Sequence, residues 1–478
     1  MDSNISINIK NFDAIPRRLS DSTKIVDEKL ERFFLGDRAL SDRRVIDLLV
    51  SSSFGTNSIL YAVWLGYLMG MWAIIIHIAW CLSFCLIAQF GSQIYRFTSI
   101  HDFLNSCYGK AAKIISAICS IVGLLYFSGW EIAISKSGLE SLGFFSSTNS
   151  TIFWSTMISI AICIALFYTA IGGQLVNGVV NSILNIIKMS LLSLIVVAVF
   201  YVVKNSHQSV LHILLPNIST AIMGIGIMGF ITNLLLNLSW QFVDNSSWQI
   251  ISSGKNSYAK GISSTLSRTS LYVFFVYFLE TLLGASLRVI GGLNSDNILG
   301  GVTYLLGNYG GKVFAFAVVM LLLSSMMSLI DGVALSTAQT LVVDLGMSNI
   351  SLKNKKTNLH VARVVTVVIG IIAAWGIQIA LNSVGRSIFD FVYIFTVVQL
   401  SLAGPILIGL TLKPKFIPLM WLSIVIALIM GLGLSFFGGI YGAAWIMDAS
   451  GFITLCTSLL SSIIIYFLNK NPKMSIHE

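Results

Sequence analysis

The residues best suited to chemistry lie where water is scarce. In the stretch Leu321 to Leu345, hydroxyls, a carboxylate and a glycine interrupt a run apolar enough to sit in lipid. Ser325, Ser328, Asp331 and Gly332 recur at three- and four-residue spacing, which places them on one face of a helix. A carboxylate at mid-depth in hydrocarbon is costly unless it faces protein, water or an ion, so this face points to an ion or solute path. The same face would also serve helix packing, with small residues letting backbones approach and hydroxyls bonding to carbonyls one turn back. The aspartate favours the path.

Two further stretches interrupt apolar runs at corresponding places in the chain. SSSFGTNS, Ser51 to Ser58, breaks the first run, and Gly224, Gly226 and Gly229 followed by Asn233, Asn237 and Gln241 break the sixth. Paired interruptions of this kind in two halves are the sequence signature of a transporter built from inverted repeats, with its passenger bound near the bilayer midplane. Unwound backbone there offers carbonyls to a cation and helix N-termini to an anionic group. Ser53, Thr56, Asn57, Ser58, Asn233, Asn237 and Gln241 are the expected hydrogen-bonding lining, with Trp130 or Tyr393 as an apolar wall or gate. Glu131, His77, Glu280 and Asp390 are weaker candidates for the same cavity; Glu131 and Glu280 would suit a proton relay, while His77 is more readily a core histidine.

The elements that hold these residues follow from composition. With 56% hydrophobic and 10% charged residues and a mean hydropathy of +0.86, the chain is a polytopic membrane protein rather than a soluble domain. Its net charge of +9 resides in short loops between apolar runs, which excludes nucleic acid as a partner and leaves the lipid bilayer. The six cysteines lack metal-ligand spacing. Residues 1–44 are polar with no cleavable signal, so the first span directs insertion. At about 20 residues per span, spans fall near 45–69, 71–93, 111–137, 152–171, 176–203, 220–243, 264–290, 313–344, 359–381, 387–411, 415–438 and 449–469.

The fold class expected is therefore all-α, with about twelve transmembrane helices. Helices one and six are broken within an inverted five-plus-five repeat, and two C-terminal helices follow. Residues 1–44 form an N-terminal segment, 45–411 the transporter core with repeats at 45–203 and 220–411, and 412–478 the two last spans and tail. Basic residues such as Arg96, Lys110, Lys113, Lys255, Lys260, Lys353, Lys413, Lys415 and Lys473 fall in alternate loops, which places both termini in the cytoplasm and the chain in the plasma membrane.

These motifs resemble those of the sodium/solute symporter family, which is built on the leucine-transporter fold. FFLGDRAL (Phe33 to Leu40), FTSIHDFLNSCYG (Phe97 to Gly109), YTAIGG (Tyr168 to Gly173), SWQFVDNSSWQI (Ser239 to Ile250) and Ser328 to Asp344 carry the likeness in order across most of the chain. The resemblance implies a sodium site between spans one and eight, formed by the carbonyls of Ser51, Phe54 and Ser325 and the hydroxyl of Ser328. Where a further hydroxyl is expected the chain has Leu329, which cannot coordinate a hard cation. Where the family commonly has an aspartate in span five, this chain has Asn181.

Lys188 lies deep in span five, two turns from Asn181 on the same side. One expectation is that its ammonium replaces the sodium ion between spans one, five and eight, paired with Asp331. Others are a structural pairing or capture of a substrate carboxylate. Three functional readings follow: a sodium-coupled symporter, as the resemblance implies; a proton-coupled or uncoupled carrier; or a membrane sensor or scaffold that carries nothing. No HExxH or GxSxG motif supports an intramembrane enzyme. The passenger expected is a small polar solute, a sugar, amino acid or carboxylate, with sodium as the possible ion; the oligomeric state is left open.

Overall fold

Two residues, Phe54 and Gly55, divide the first span. The computed structural model describes residues 28–140, 147–204, 214–255, 261–290, 298–346, 355–376, 379, 383, 393–412 and 416–470. Asp390, Arg386, Lys260, Lys353, Lys413, Lys415 and Lys473 lie outside the described residues. A short amphipathic helix, α1 (Glu28–Leu35), precedes α2 (Asp42–Ser53). Phe54 then leaves helical geometry at φ −118°, ψ 51°, and α3 (Thr56–Met69) resumes after Gly55. Leu329 packs closely on this glycine: a Cβ there would lie 2.6 Å from Leu329 Cδ1, so the leucine would have to shift. The serine-rich stretch read from sequence is thus a break between two helices of near-equal length.

The chain continues through α4 (Ile74–Ala88), the short α5 (Ile100–Tyr108) and α6 (Lys110–Glu140). The next helix, α7 (Ser147–Lys204), runs 58 residues, far more than one crossing needs. It turns back at Gly173, whose φ of 58° favours glycine. A Cβ at this position would lie 2.1 Å from the Phe33 carbonyl of α1, so backbone packs on backbone. Spans four and five are therefore the two arms of α7, with Asn181 and Lys188 on the second.

The sixth span is also broken, but at another depth. Helix α8 (Ile218–Met223) has 6 residues and α9 (Ile227–Val243) has 17, joined through Gly226 at φ 75°. In span one the corresponding pieces have 12 and 14 residues. Asn233, Asn237 and Gln241 consequently sit on a continuous helix rather than on unwound backbone. Asp244 ends that helix and caps α10 (Asn245–Ser252), accepting from the amides of Ser246 (3.2 Å) and Ser247 (3.0 Å).

The remaining helices are α11 (Ile262–Ile290), α12 (Ile298–Gln339), α13 (Lys355–Ile371), α14 (Ile394–Leu400), α15 (Ala403–Leu412), α16 (Trp421–Tyr441) and α17 (Ala444–Lys470). Nine described stretches are long and apolar enough to cross a membrane. Thr56–Ala88 holds two spans parted by a turn at Gly70, Ser150–Tyr201 holds the two arms of α7, and Ile227–Val243 adds another; together these meet the expected twelve. Among the described residues the one extended pairing is an isolated bridge between Leu40 and Gly254. The helices satisfy their own backbone, as a lipid solvent demands, and large apolar side chains such as Phe167, Leu271, Val313 and Ile429 remain exposed on the outer surface. This is an all-α, multi-pass membrane protein.

Candidate solute and cation sites at the broken span

Lys188 reaches the break from the second arm of α7. Its side chain is fully buried, and its ammonium donates to the Phe54 carbonyl (3.2 Å) and to Ser328 Oγ (2.8 Å). The same nitrogen stands 4.7 Å from the centre of the Phe54 ring, in the range of a cation-π contact. A positive charge at the end of α2 also meets the negative pole of that helix. Two of the four oxygens that the resemblance assigns to sodium are thereby taken by an ammonium.

The other two are turned to neighbours. The Ser51 carbonyl accepts from the Phe54 amide (3.2 Å), its hydroxyl donates to Asn185 Oδ1 (2.8 Å), and the Ser325 carbonyl accepts from Ser328 Oγ (3.0 Å). Leu329 packs its methyl against Gly55, where a further ligand oxygen would be needed. As arranged, all four of these oxygens already engage protein donors.

Asp331 does not form the expected ion pair with Lys188. Its Oδ2 accepts from Tyr168 Oη (2.7 Å) and Asn181 Nδ2 (2.9 Å), and the three ion pairs among the described residues all lie elsewhere. Asn181 explains its own departure from the family pattern: an amide donates to Asp331, whereas a second carboxylate would repel it.

The opposite face of the break belongs to Glu131 of α6. Gly55 supplies no side-chain cap to α3, and the Glu131 carboxylate takes its place, accepting from the Thr56 amide through Oε1 (2.5 Å) and from the Asn57 amide through Oε2 (2.9 Å). Those amides are the orphan donors of a helix start, the positive pole that commonly binds anions. Lysine and glutamate thus fill both poles of the interruption. The sequence suggests Glu131 as a weaker cavity candidate and a proton relay; it does not line the cavity, and its place at α3 depends on α6 crossing the break.

A cavity of about 480 Å³ opens from the break along α3 and α9 toward the beginning of α17. Ser53, Asn57, Ser58, Trp130, Asn233, Asn237 and Tyr393, all named from sequence, line it. Two expected residues do not. Thr56 turns its hydroxyl to the Leu322 carbonyl of α12 (2.8 Å), and Gln241 accepts from Ser247 Oγ (2.7 Å) beside the α9–α10 joint. Asp448 and the aromatic residues Tyr61, Trp80 and Trp240 line the cavity unannounced. Asp448 lies one residue before the boundary that hydropathy gave span twelve, and outside both repeats.

Beyond the break lies a smaller cavity of about 50 Å³, lined by polar groups including Gln174, Asn177, Asn181, Asp331 and Gln249. Ser52, Trp80, Phe127 and Trp240 border both spaces. Trp80 and Trp240 stack at 5.6 Å between ring centres, and Phe127 packs on Trp240 at 6.0 Å. An aromatic partition therefore lies between a wide vestibule and a narrow one.

Helices one and six are broken, the two arms of α7 meet at Gly173, and the polar break faces α7 and α12. Superposition on a Na+-coupled sialic acid symporter in a substrate-bound outward-open state gives a TM-score of 0.71 at 13% identity, covering 92% of this chain and 92% of that one. The chain has the leucine-transporter fold. Mhp1, a nucleobase-cation-symport-1 family transporter with bromovinylhydantoin bound, superposes on this fold at a TM-score of 0.55 and 15% identity, covering 92% and 95%. MhsT in complex with L-phenylalanine does so at 0.51 and 15%, covering 90% and 99%. No protein-family model and no curated protein sequence matches the chain. At such identities the likeness is one of leucine-transporter fold, and the site must speak for function.

Proposed function

We propose that the chain is a secondary transporter that moves a small organic solute across the plasma membrane by alternating access, with both termini in the cytoplasm. The observation that carries this reading is the pair of cavities on either side of the aromatic partition, about 480 Å³ and about 50 Å³. A solute path closed at one end and open at the other is what alternation requires, and broken helices at the midplane suit its gate. Ser53, Asn57, Ser58, Asn233 and Asn237 provide the hydrogen bonds at its floor and wall.

In this reading the Lys188 ammonium serves in place of a coupling sodium ion. It holds Phe54 of span one against Ser328 of span eight, the junction that a bound cation would otherwise tie. Transport is then independent of sodium, and runs either with protons or down the solute gradient. Purified protein in proteoliposomes tests this: uptake is expected to be equal in sodium and in potassium buffers, and an imposed pH gradient separates proton-coupled from uncoupled flux. Strict dependence on sodium overturns it.

Sodium-driven symport has two observations in its favour. Ser325 Oγ and Asp331 Oδ1 are buried without a hydrogen-bond partner and would offer oxygen to a cation, and the sialic acid symporter of like fold is Na+-coupled. The same ion substitution decides between the two.

A further inference from the structure

The large cavity carries a charge pattern that says more about its passenger. Among its lining residues Asp448 is the one carboxylate, and none is lysine or arginine. The cationic Lys188 is fully buried and is not among them. The helix start that would attract an anionic solute is already capped by Glu131, through the amides of Thr56 and Asn57. A carboxylate entering the cavity would meet Asp448 and no lysine or arginine among the lining residues.

The walls point the same way. Four of the chain's ten tryptophans, Trp64, Trp80, Trp130 and Trp240, line the space together with Tyr61 and Tyr277. Aromatic faces present negative quadrupole density, and several of them around one void attract an ammonium more than a neutral group of the same shape. His77, 2% exposed and stacked on Tyr277 with ring centres 4.4 Å apart, also lines the space, and its Nε2 has no hydrogen-bond partner.

Asp448 is held as a fixed counter-charge. Tyr393 Oη donates to its Oδ1 (2.5 Å), and Thr232 Oγ1 donates to its backbone carbonyl (2.6 Å), which ties α17 to α9. Its other oxygen faces Gly229, where even a Cβ would stand 3.6 Å away, so the wall beside Oδ2 is left low. We infer that the cavity binds a compact organic cation, an amine or quaternary ammonium, with Asp448 as its counter-charge and the tryptophan and tyrosine faces as its cage. The inference deepens the transport reading by naming the class of passenger for the same site.

Matched pairs of probes test it on the full chain in lipid nanodiscs, read by quenching of tryptophan fluorescence. Choline is compared with its neutral isostere 3,3-dimethylbutanol, phenethylamine with 2-phenylethanol, and benzoate serves as the anion. The cation of at least one pair is expected to bind about tenfold or more tightly than its neutral partner. Asp448→Asn, which keeps an acceptor for Tyr393, is expected to bring the pair to parity, and Asp448→Glu to preserve the preference. Equal binding within both pairs, tighter binding of benzoate, no binding of either cation, or a preference that survives in Asp448→Asn overturns the inference. The comparison within the unaltered chain needs no variant to fold. Flux separates the two readings: cations that bind without crossing proteoliposomes defeat transport alone, and flux of a neutral or anionic solute without cation binding defeats this inference alone.

Discussion

The ammonium of Lys188 and the carbonyl of Phe54 meet at 3.2 Å at the one point where the first span is not helical. Ser328 completes the contact at 2.8 Å, so a single side chain from span five joins spans one and eight. The Phe54 carbonyl and Ser328 hydroxyl are two of the groups that the resemblance assigns to a sodium ion.

Removing the lysine and restoring the missing hydroxyl should create the sodium site that the resemblance implies. We expect the thermal midpoint of the unaltered chain to be the same in sodium and potassium. In Lys188→Ala combined with Leu329→Ser it should be higher in sodium, by about 1.4 kcal/mol of stability at tenfold excess over the dissociation constant. A sodium-induced rise in the unaltered chain would refute the assignment.

Glu131 stabilises the start of α3 through two amides at once. Glu131→Gln keeps only one acceptor oxygen and places an NH₂ against the other amide, leaving one buried donor unpaired. We expect a loss of about 1–3 kcal/mol in unfolding stability, checked by thermal denaturation in detergent. An unchanged midpoint would show that water caps the helix equally well.

The aromatic partition should act as a barrier. In a background with its native cysteines replaced, a cysteine introduced by Asn181→Cys faces the small cavity and should react slowly with a membrane-impermeant thiol reagent. Trp240→Ala is expected to raise that rate about tenfold, equivalent to about 1.4 kcal/mol in the open population. No change in rate would mean that the partition does not limit access.

His101 of α5, outside the spans, should make stability depend on pH. Burial, with Lys113 nearby, lowers its pKa from 6.5 to about 3. Its Nδ1 is 3.0 Å from Ser116 Oγ and its Nε2 has no partner. The folded chain thus favours the neutral ring: its contribution is complete above about pH 6.5 and declines as the pH falls toward 3, by up to about 1.4 kcal/mol per pH unit. Midpoints measured between pH 5 and 7.5 should drop on the acid side, and His101→Gln should flatten that slope.

Composition and local pattern suffice to read the solvent, the number of crossings and the place of the breaks. Hydropathy over 18-residue or longer runs leaves little freedom in lipid, where backbone must form helices, and glycine with small polar residues marks where a helix stops. The motifs that carry the family resemblance were legible for a related reason. Phe33 packs on Gly173, Phe34 accepts from Gln249 at 2.9 Å, and Ser99 donates to Asp344 at 3.0 Å, so residues distant in sequence secure one end of the bundle. The types of Lys188 and Leu329 also set the chain apart from the sodium site that the resemblance implies. Which partners these residues take depends on how the helices pack. Lys188 and Asp331 form no ion pair: Tyr168 and Asn181 hold the carboxylate, while the ammonium goes to Phe54 and Ser328. Thr56 faces α12 rather than the cavity, because a break rotates the helix that follows it. Asp448 gains its place from the packing of α17 on α9, a relation between segments more than 200 residues apart that no local periodicity encodes.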